Sequence, residues 1–296
     1  MHLLLPLLAS VLFVCALIFA QRAGQAVPGR PRIGPVTTLF FANQCSAVVF
    51  SLLWCFGGTL QPASQLYQPA IVAALYILGL VFTLMAVEVG DVSIAAPLFG
   101  VKVVFVAVIL TLTGLQTLPA EVWYAAVLAA IGIGLIQWTG RGQPRRILLT
   151  IAAALSAALC YATFDVLVQR WAPAWGAGRF LPIMFWMVGI VSLVLWPWVQ
   201  LDPLRQPSQR NPLLASSLLL ALQAVCIVVT LSVFGDAARV NVVYALRGLW
   251  GVALAWVAAR IWGGNEAFLG RRVLAMRFVG ACLLTVAVAI VTLSRD

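Results

Sequence analysis

Residues 90–105 read GDVSIAAPLFGVKVVF, and residues 235–250 read GDAARVNVVYALRGLW. Each stretch opens on a Gly-Asp pair and reaches, eleven positions later, one cation in an apolar run: Lys102 in the first, Arg247 in the second. Rings flank each cation at a spacing of three, Phe99 and Phe105 in one case and Tyr244 and Trp250 in the other. The same offset of 145 positions lays Glu266 on Glu121 and Cys160 on Cys15. A slightly longer offset pairs Gln21 and Arg22 with Gln169 and Arg170, which implies extra residues in the first span of the second half. Self-similarity at a fixed offset marks an internal duplication. The chain therefore reads as two halves, residues 1–145 and 146–296.

The medium around these halves follows from composition. Of 296 residues, 64% are hydrophobic and 9% charged, and the mean hydropathy is +1.07. Soluble domains carry about a quarter charged residues, so a water-soluble globule is excluded. The net charge is +10, but the basic residues stand singly between apolar runs and form no nucleic-acid-binding face. Six cysteines lie in apolar runs with no Cys-x-x-Cys pair, and the one histidine is His2, so neither a metal site nor a disulfide framework is expected.

A window of about 19 residues places ten spans. They fall near 3–20, 36–57, 69–87, 92–114 and 120–138 in the first half, and near 147–169, 180–200, 212–234, 238–261 and 273–293 in the second. Leu3 to Ala20 resembles a signal-peptide core, but no basic residue precedes it and its length suits a first span. The runs lack period-2 alternation, so helices cross the bilayer and the fold class is all-α integral membrane. Tryptophans at 123, 138, 171, 175, 196, 198 and 262 read as interface anchors. Small residues four apart, in Ala126, Ala130 and Gly134, in Ala154, Ala158 and Ala162, and in Gly251, Ala255 and Ala259, predict close helix packing. Five spans per half is an odd number, so the second repeat enters the membrane inverted, with substrate expected near the midplane between the halves.

Residues 90–97, Ala157 to Thr163 and the hairpin Gly264-Asn265-Glu266 together resemble the drug/metabolite transporter superfamily, and within it the ten-span EamA-like transporters. The resemblance runs over essentially the whole chain and implies a secondary transporter in a bacterial plasma (inner) membrane. Members typically carry a glutamate in the hairpin after the fourth and ninth spans. Glu266 fits that pattern, whereas the first half reads Gly114-Leu115-Gln116 with Glu121 displaced into the next helix. Lys102 lies outside the general pattern, which points to a subfamily with its own substrate class.

A cation at mid-span costs about 3 kcal/mol on insertion scales, so it demands a partner or a water-filled cavity. Lys102 lies about 16 Å down the helix from Asp91, near the midplane, and Arg247 is its counterpart. Inverted halves bring both toward one cavity, where they would hold a carboxylate or phosphate ester between them. The other reading is structural: a buried cation paired with Asp165 or with carbonyl oxygens acts as a strut or gate. Asp165 is in turn a candidate coupling or gating residue. Phe99, Phe105, Tyr244 and Trp250 are candidate cavity rings, and Asn43, Gln44 and Gln223 either line the cavity or bond between helices. Asp91 and Asp236 follow glycine at helix starts and read as N-caps. Glu121, after Pro119, suits a first turn.

Eleven basic residues fall in loops after odd-numbered spans and four in the remaining loops and carboxyl terminus. The positive-inside rule then puts both termini outside, although many members of the family have both inside. With no Walker A sequence or cofactor motif, and no cluster of nucleophiles and bases, the chain is expected to be no enzyme, driven by an ion gradient or by exchange. Its partners are a small-molecule substrate and the lipid bilayer, with a homodimer open. A lipid-linked substrate flippase is a close alternative, and a membrane enzyme or scaffold a remoter one.

Overall fold

An apolar run in hydrocarbon must satisfy its backbone polar groups internally, and the helix does so within one segment. The computed structural model follows that rule: it describes residues 3–24, 33–86, 98–136, 147–251, 253–254 and 271–293, and they contain helices and no strand. The α-helices are α1 (Leu4–Ala23), α2 (Pro35–Ser51), α3 (Tyr67–Leu84), α4 (Lys102–Leu112), α5 (Ala120–Ile136), α6 (Ile147–Trp175), α7 (Ala177–Ser192), α8 (Pro207–Phe234), α9 (Ala237–Tyr244) and α10 (Arg271–Leu293). Short 3-10 turns lengthen α2 to Phe56 and α7 to Trp198, and a third, Phe99–Val101, leads into α4. Among the described residues seven helices are long and apolar enough to cross a membrane; Phe99–Leu112 and Ala120–Ile136 are shorter apolar helices.

Local signals set the ends. Pro35 and Pro207 occupy the first positions of α2 and α8, where a missing N–H costs nothing. Gly235, at φ 63°, closes α8 in the left-handed conformation. Asp236 then caps α9, its carboxylate accepting from the Arg239 amide at 3.4 Å, as its position after glycine predicts. Asp91, Asn265, Glu266 and the tryptophans at 138 and 262 lie outside the described residues.

Two apolar clusters build the interior. One joins Phe50 of α2, Val72 of α3, Phe164 of α6, Phe185 of α7 and Leu231 of α8; the other joins Ala129 and Ile133 of α5 to Leu284 and Ala287 of α10. The short helices α4 and α9 belong to both. On α4, Val106 and Leu110 face the first cluster and Val103 and Ala107 the second; on α9, Val240 and Tyr244 face the first and Val242 the second. Outward, Val48, Leu52, Phe56, Leu112, Leu148 and Phe278 are exposed, an apolar girdle that suits lipid and not water.

The packing corrects two expectations. Trp175 is no interface anchor: it is 1% exposed and its indole donates to Gln68 Oε1 at 2.8 Å. Nor does Gly134 seat a neighbour, since a Cβ there would meet nothing within 4 Å. The close approach of α5 is made one face over, where a Cβ on Gly280 would stand 2.6 Å from the Gly132 carbonyl. Ala154, Ala158 and Ala162 are buried as the stripe predicts.

At one end of the bundle, the segment after α2 lies on the link between α6 and α7. Thr59 donates its amide to the Trp175 carbonyl at 2.8 Å, and Gln61 Nε2 donates to the Ala174 carbonyl at 2.7 Å. Gly57, Gly58, Gly176 and Gly178 make this approach backbone on backbone: a Cβ on Gly178 would run into the Gly57 and Leu53 carbonyls. Arg179 closes over it, 4.7 Å above the Trp54 ring.

Candidate functional site

Where α4 and α9 begin or break, the chain places Lys102 and Arg247. Lys102 is the residue at which the 3-10 turn Phe99–Val101 becomes α-helix. Gly100 lets that turn sit against α5, for a Cβ there would come within 2.9 Å of Ile133. Arg247 follows the turn at residues 245–246, where Leu246 and Gly248 donate three residues back, to Val243 and Ala245, in place of four.

Lys102 Nζ lies 2.7 Å from Asp165 Oδ2, with side-chain exposures of 13% and 2%. The same carboxylate oxygen accepts from Asn241 Nδ2 at 2.6 Å, and Asn241 also donates to the Ala237 carbonyl at 2.9 Å. One helical turn along α6, Gln169 Oε1 accepts from the Ala237 amide at 2.9 Å. Polar side chains four apart on α6 thus meet residues four apart on α9, and Lys102 of α4 supplies the charge that this carboxylate needs.

Aromatic residues surround the pair. Lys102 Nζ stands 5.9 Å from the Tyr161 ring centroid, and Tyr161 meets Tyr76 edge-on at 6.3 Å. Tyr76 also contacts Phe164 and Phe185, at 5.6 and 5.5 Å. The Arg247 guanidinium lies over Tyr244 at 4.5 Å and over Phe13 of α1 at 5.3 Å, distances at which a cation is attracted by a ring face. Arg247 is close enough to act electrostatically on Lys102 and on Tyr161. Among the described residues no carboxylate lies within ion-pair distance of Arg247.

The residues singled out by sequence are thus partly brought together. Lys102, Arg247, Asp165 and Tyr244 share one locus. Phe99 packs instead on Ala153 and Ala154, Phe105 against the larger apolar cluster, and Trp250 against the smaller, so of the four rings at spacing three Tyr244 alone lies against its cation. Asn43 donates to Ser192 Oγ at 2.8 Å and Gln44 to the Gly189 carbonyl at 2.9 Å; both tie α2 to α7. Gln223 is half-buried on α8. Sequence reasoning missed Asn241, Tyr161, Tyr76 and Phe13. Asn241 carried a signal, being the one polar residue among Val240, Val242 and Val243. The contributions of Tyr161, Tyr76 and Phe13 come from other helices, which no periodicity in α4 or α9 reveals.

With this geometry in hand, the class is a multi-pass, all-helical membrane protein. No family model matches the chain, and no curated protein matches it. A solved structure described only as a protein shares its fold, with a TM-score of 0.71 over 99% of this chain and 96% of that one, at 14% identity. That likeness establishes the fold alone.

Proposed function

We propose that the chain is a secondary transporter of a small metabolite bearing an anionic group, working by alternating access at a midplane site between two inverted five-helix repeats. The reading places it among EamA-like members of the drug/metabolite transporter superfamily, in a bacterial plasma membrane with both termini outside. It involves no cofactor and no chemical conversion of the substrate.

The observation that carries it is the buried Lys102–Asp165 pair with Arg247 alongside, seated where two helices are interrupted. Buried charge inside a membrane protein is expensive and marks ligand or ion pathways, and interrupted helices near the midplane are the usual place for them. The repeat finds support in the helix pairing. Exchanging α1–α5 for α6–α10 converts the contact of α1 with α8 into that of α6 with α3, and the contact of α2 with α8 into that of α7 with α3. It likewise converts α4 on α6 into α9 on α1, and α4 on α5 into α9 on α10, and it maps α2 on α7, α4 on α9 and α5 on α10 onto themselves. Under this reading α4, α5 and α9 belong to the three spans that complete a set of ten.

Counterflow tests it. Proteoliposomes are loaded with unlabelled carboxylates and phosphate esters, and uptake of each labelled compound is followed. Accumulation above equilibrium, lost in Arg247→Gln, is the expected result. A folded protein that accumulates none of them, or that alters them chemically, discards the reading.

A further inference from the structure

Resting on the transport reading, we infer that the site selects a monocarboxylate with an apolar body, that Arg247 is its anion-binding residue, and that Asp165 sets this valence by neutralising Lys102. The inference follows from counting charge at the site. Among the described residues two cations and one carboxylate meet there, and the carboxylate is spent on Lys102 at 2.7 Å, which leaves one positive charge. The next charges along α9, Asp236 and Arg239, are of opposite sign and lie 3.4 Å apart, so together they add no net charge. Among the described residues the neighbouring phenols, Tyr76, Tyr161 and Tyr244, are neutral in their ordinary state.

Arg247 is the cation whose charge is left over. It has aromatic faces for neighbours, Tyr244 and Phe13, and ring faces attract a guanidinium without discharging it. A carboxylate docking on it completes neutrality at the site. A second negative charge on the ligand would be buried without a partner, and in a low-dielectric interior that is the costlier error. The half-buried rings of Phe13, Tyr76 and Tyr161 offer apolar contact for the rest of the ligand. Asn241 holds the Asp165 oxygen from the side opposite in chemistry, a neutral donor that adds no charge.

Three compounds with one ring and different charge test this: 3-phenylpropionate, a monoanion; phenylsuccinate, a dianion; and phenylalanine, a zwitterion. Affinities are read by calorimetry and thermal shift on detergent-purified full-length protein. The parent is expected to bind 3-phenylpropionate about tenfold or more tighter than either of the others, a factor in keeping with one unpaired charge at intermediate dielectric. Arg247→Gln loses that binding. Asp165→Asn, which frees the Lys102 charge, moves the order toward phenylsuccinate. Because that variant leaves a buried cation short of its partner, Lys102→Met/Asp165→Leu serves as the second: it removes both charges, keeps the net charge at the site and retains the parent's order. Tighter binding of phenylsuccinate or phenylalanine to the parent, no binding of any of the three, or loss of 3-phenylpropionate in the double variant with retention in Arg247→Gln overturns the inference. The expected order of binding without counterflow of 3-phenylpropionate would remove the transport reading and leave the charge count standing.

Discussion

Asp165 is the residue on which the interior turns, because a single oxygen serves both Lys102 and Asn241. Removing one member of a buried ion pair strands the other, at about 3–5 kcal/mol, whereas replacing both by apolar groups of like volume is often neutral. Lys102→Ala is therefore expected to lower the thermal unfolding midpoint in detergent steeply, and Lys102→Met/Asp165→Leu to restore most of it. A midpoint for Lys102→Ala equal to that of the parent contradicts the pairing. Asn43→Ala, which removes the bond to Ser192 between α2 and α7, is expected to cost only about 0.6 kcal/mol, the mean for such bonds in a membrane interior. The contrast between the two substitutions separates the ion site from ordinary interhelical bonding by magnitude.

Among elements, the crossing of α5 and α10 is the most exacting, since Gly132 and Gly280 bring two backbones together. Gly280→Ala and Gly132→Ala are expected to destabilise by about 1–3 kcal/mol through overpacking, while Gly134→Ala, with nothing in reach, gains slightly from helix propensity. Equal effects at Gly132 and Gly134 in thermal unfolding would refute that assignment of faces. The difference between these glycines shows where legibility in the sequence stops. That the apolar runs form helices was readable, because continuous apolar runs and the Pro35, Pro207 and Gly235-Asp236 boundaries mark them, although the expected span 238–261 is broken after Tyr244; of the stripe, Ala126 is buried against α10 as expected, whereas Gly134 meets no neighbour. At the site, the two cations and Asp165 were readable because charge in an apolar run is conspicuous. Tyr161 and Phe13 were not, since an aromatic residue in a hydrophobic helix looks the same whether it faces a cation or a neighbour's core. The rings three residues from Lys102 are taken up by packing instead, Phe99 against Ala153 and Ala154 and Phe105 against the larger apolar cluster, and spacing within one helix says nothing of which neighbour a ring meets.

At the scale of the molecule, alternating access requires that contacts at each end of the bundle form and part. On the transport reading the segment 57–61 on the link of α6 and α7 would be one such closure; at the other set of loops Gln200 accepts from the Gly34 amide at 2.9 Å and donates its main-chain amide to Thr37 at 3.0 Å. Locking the first closure with a disulfide in Gln61→Cys/Ala174→Cys is expected to stop counterflow while leaving ligand binding measurable by thermal shift, and reduction is expected to restore flux. Undiminished flux in the oxidised variant would mean that this end does not open. The make-up of that closure also decides how it will respond to mutagenesis. One of its bonds runs from a main-chain amide to a main-chain carbonyl beside facing glycines, and shortening side chains leaves that bond and the close backbone approach intact. An alanine scan reports the side-chain bonds of Gln61 and Arg179 and passes over the glycine seam beneath them, which only substitutions that add bulk will reveal.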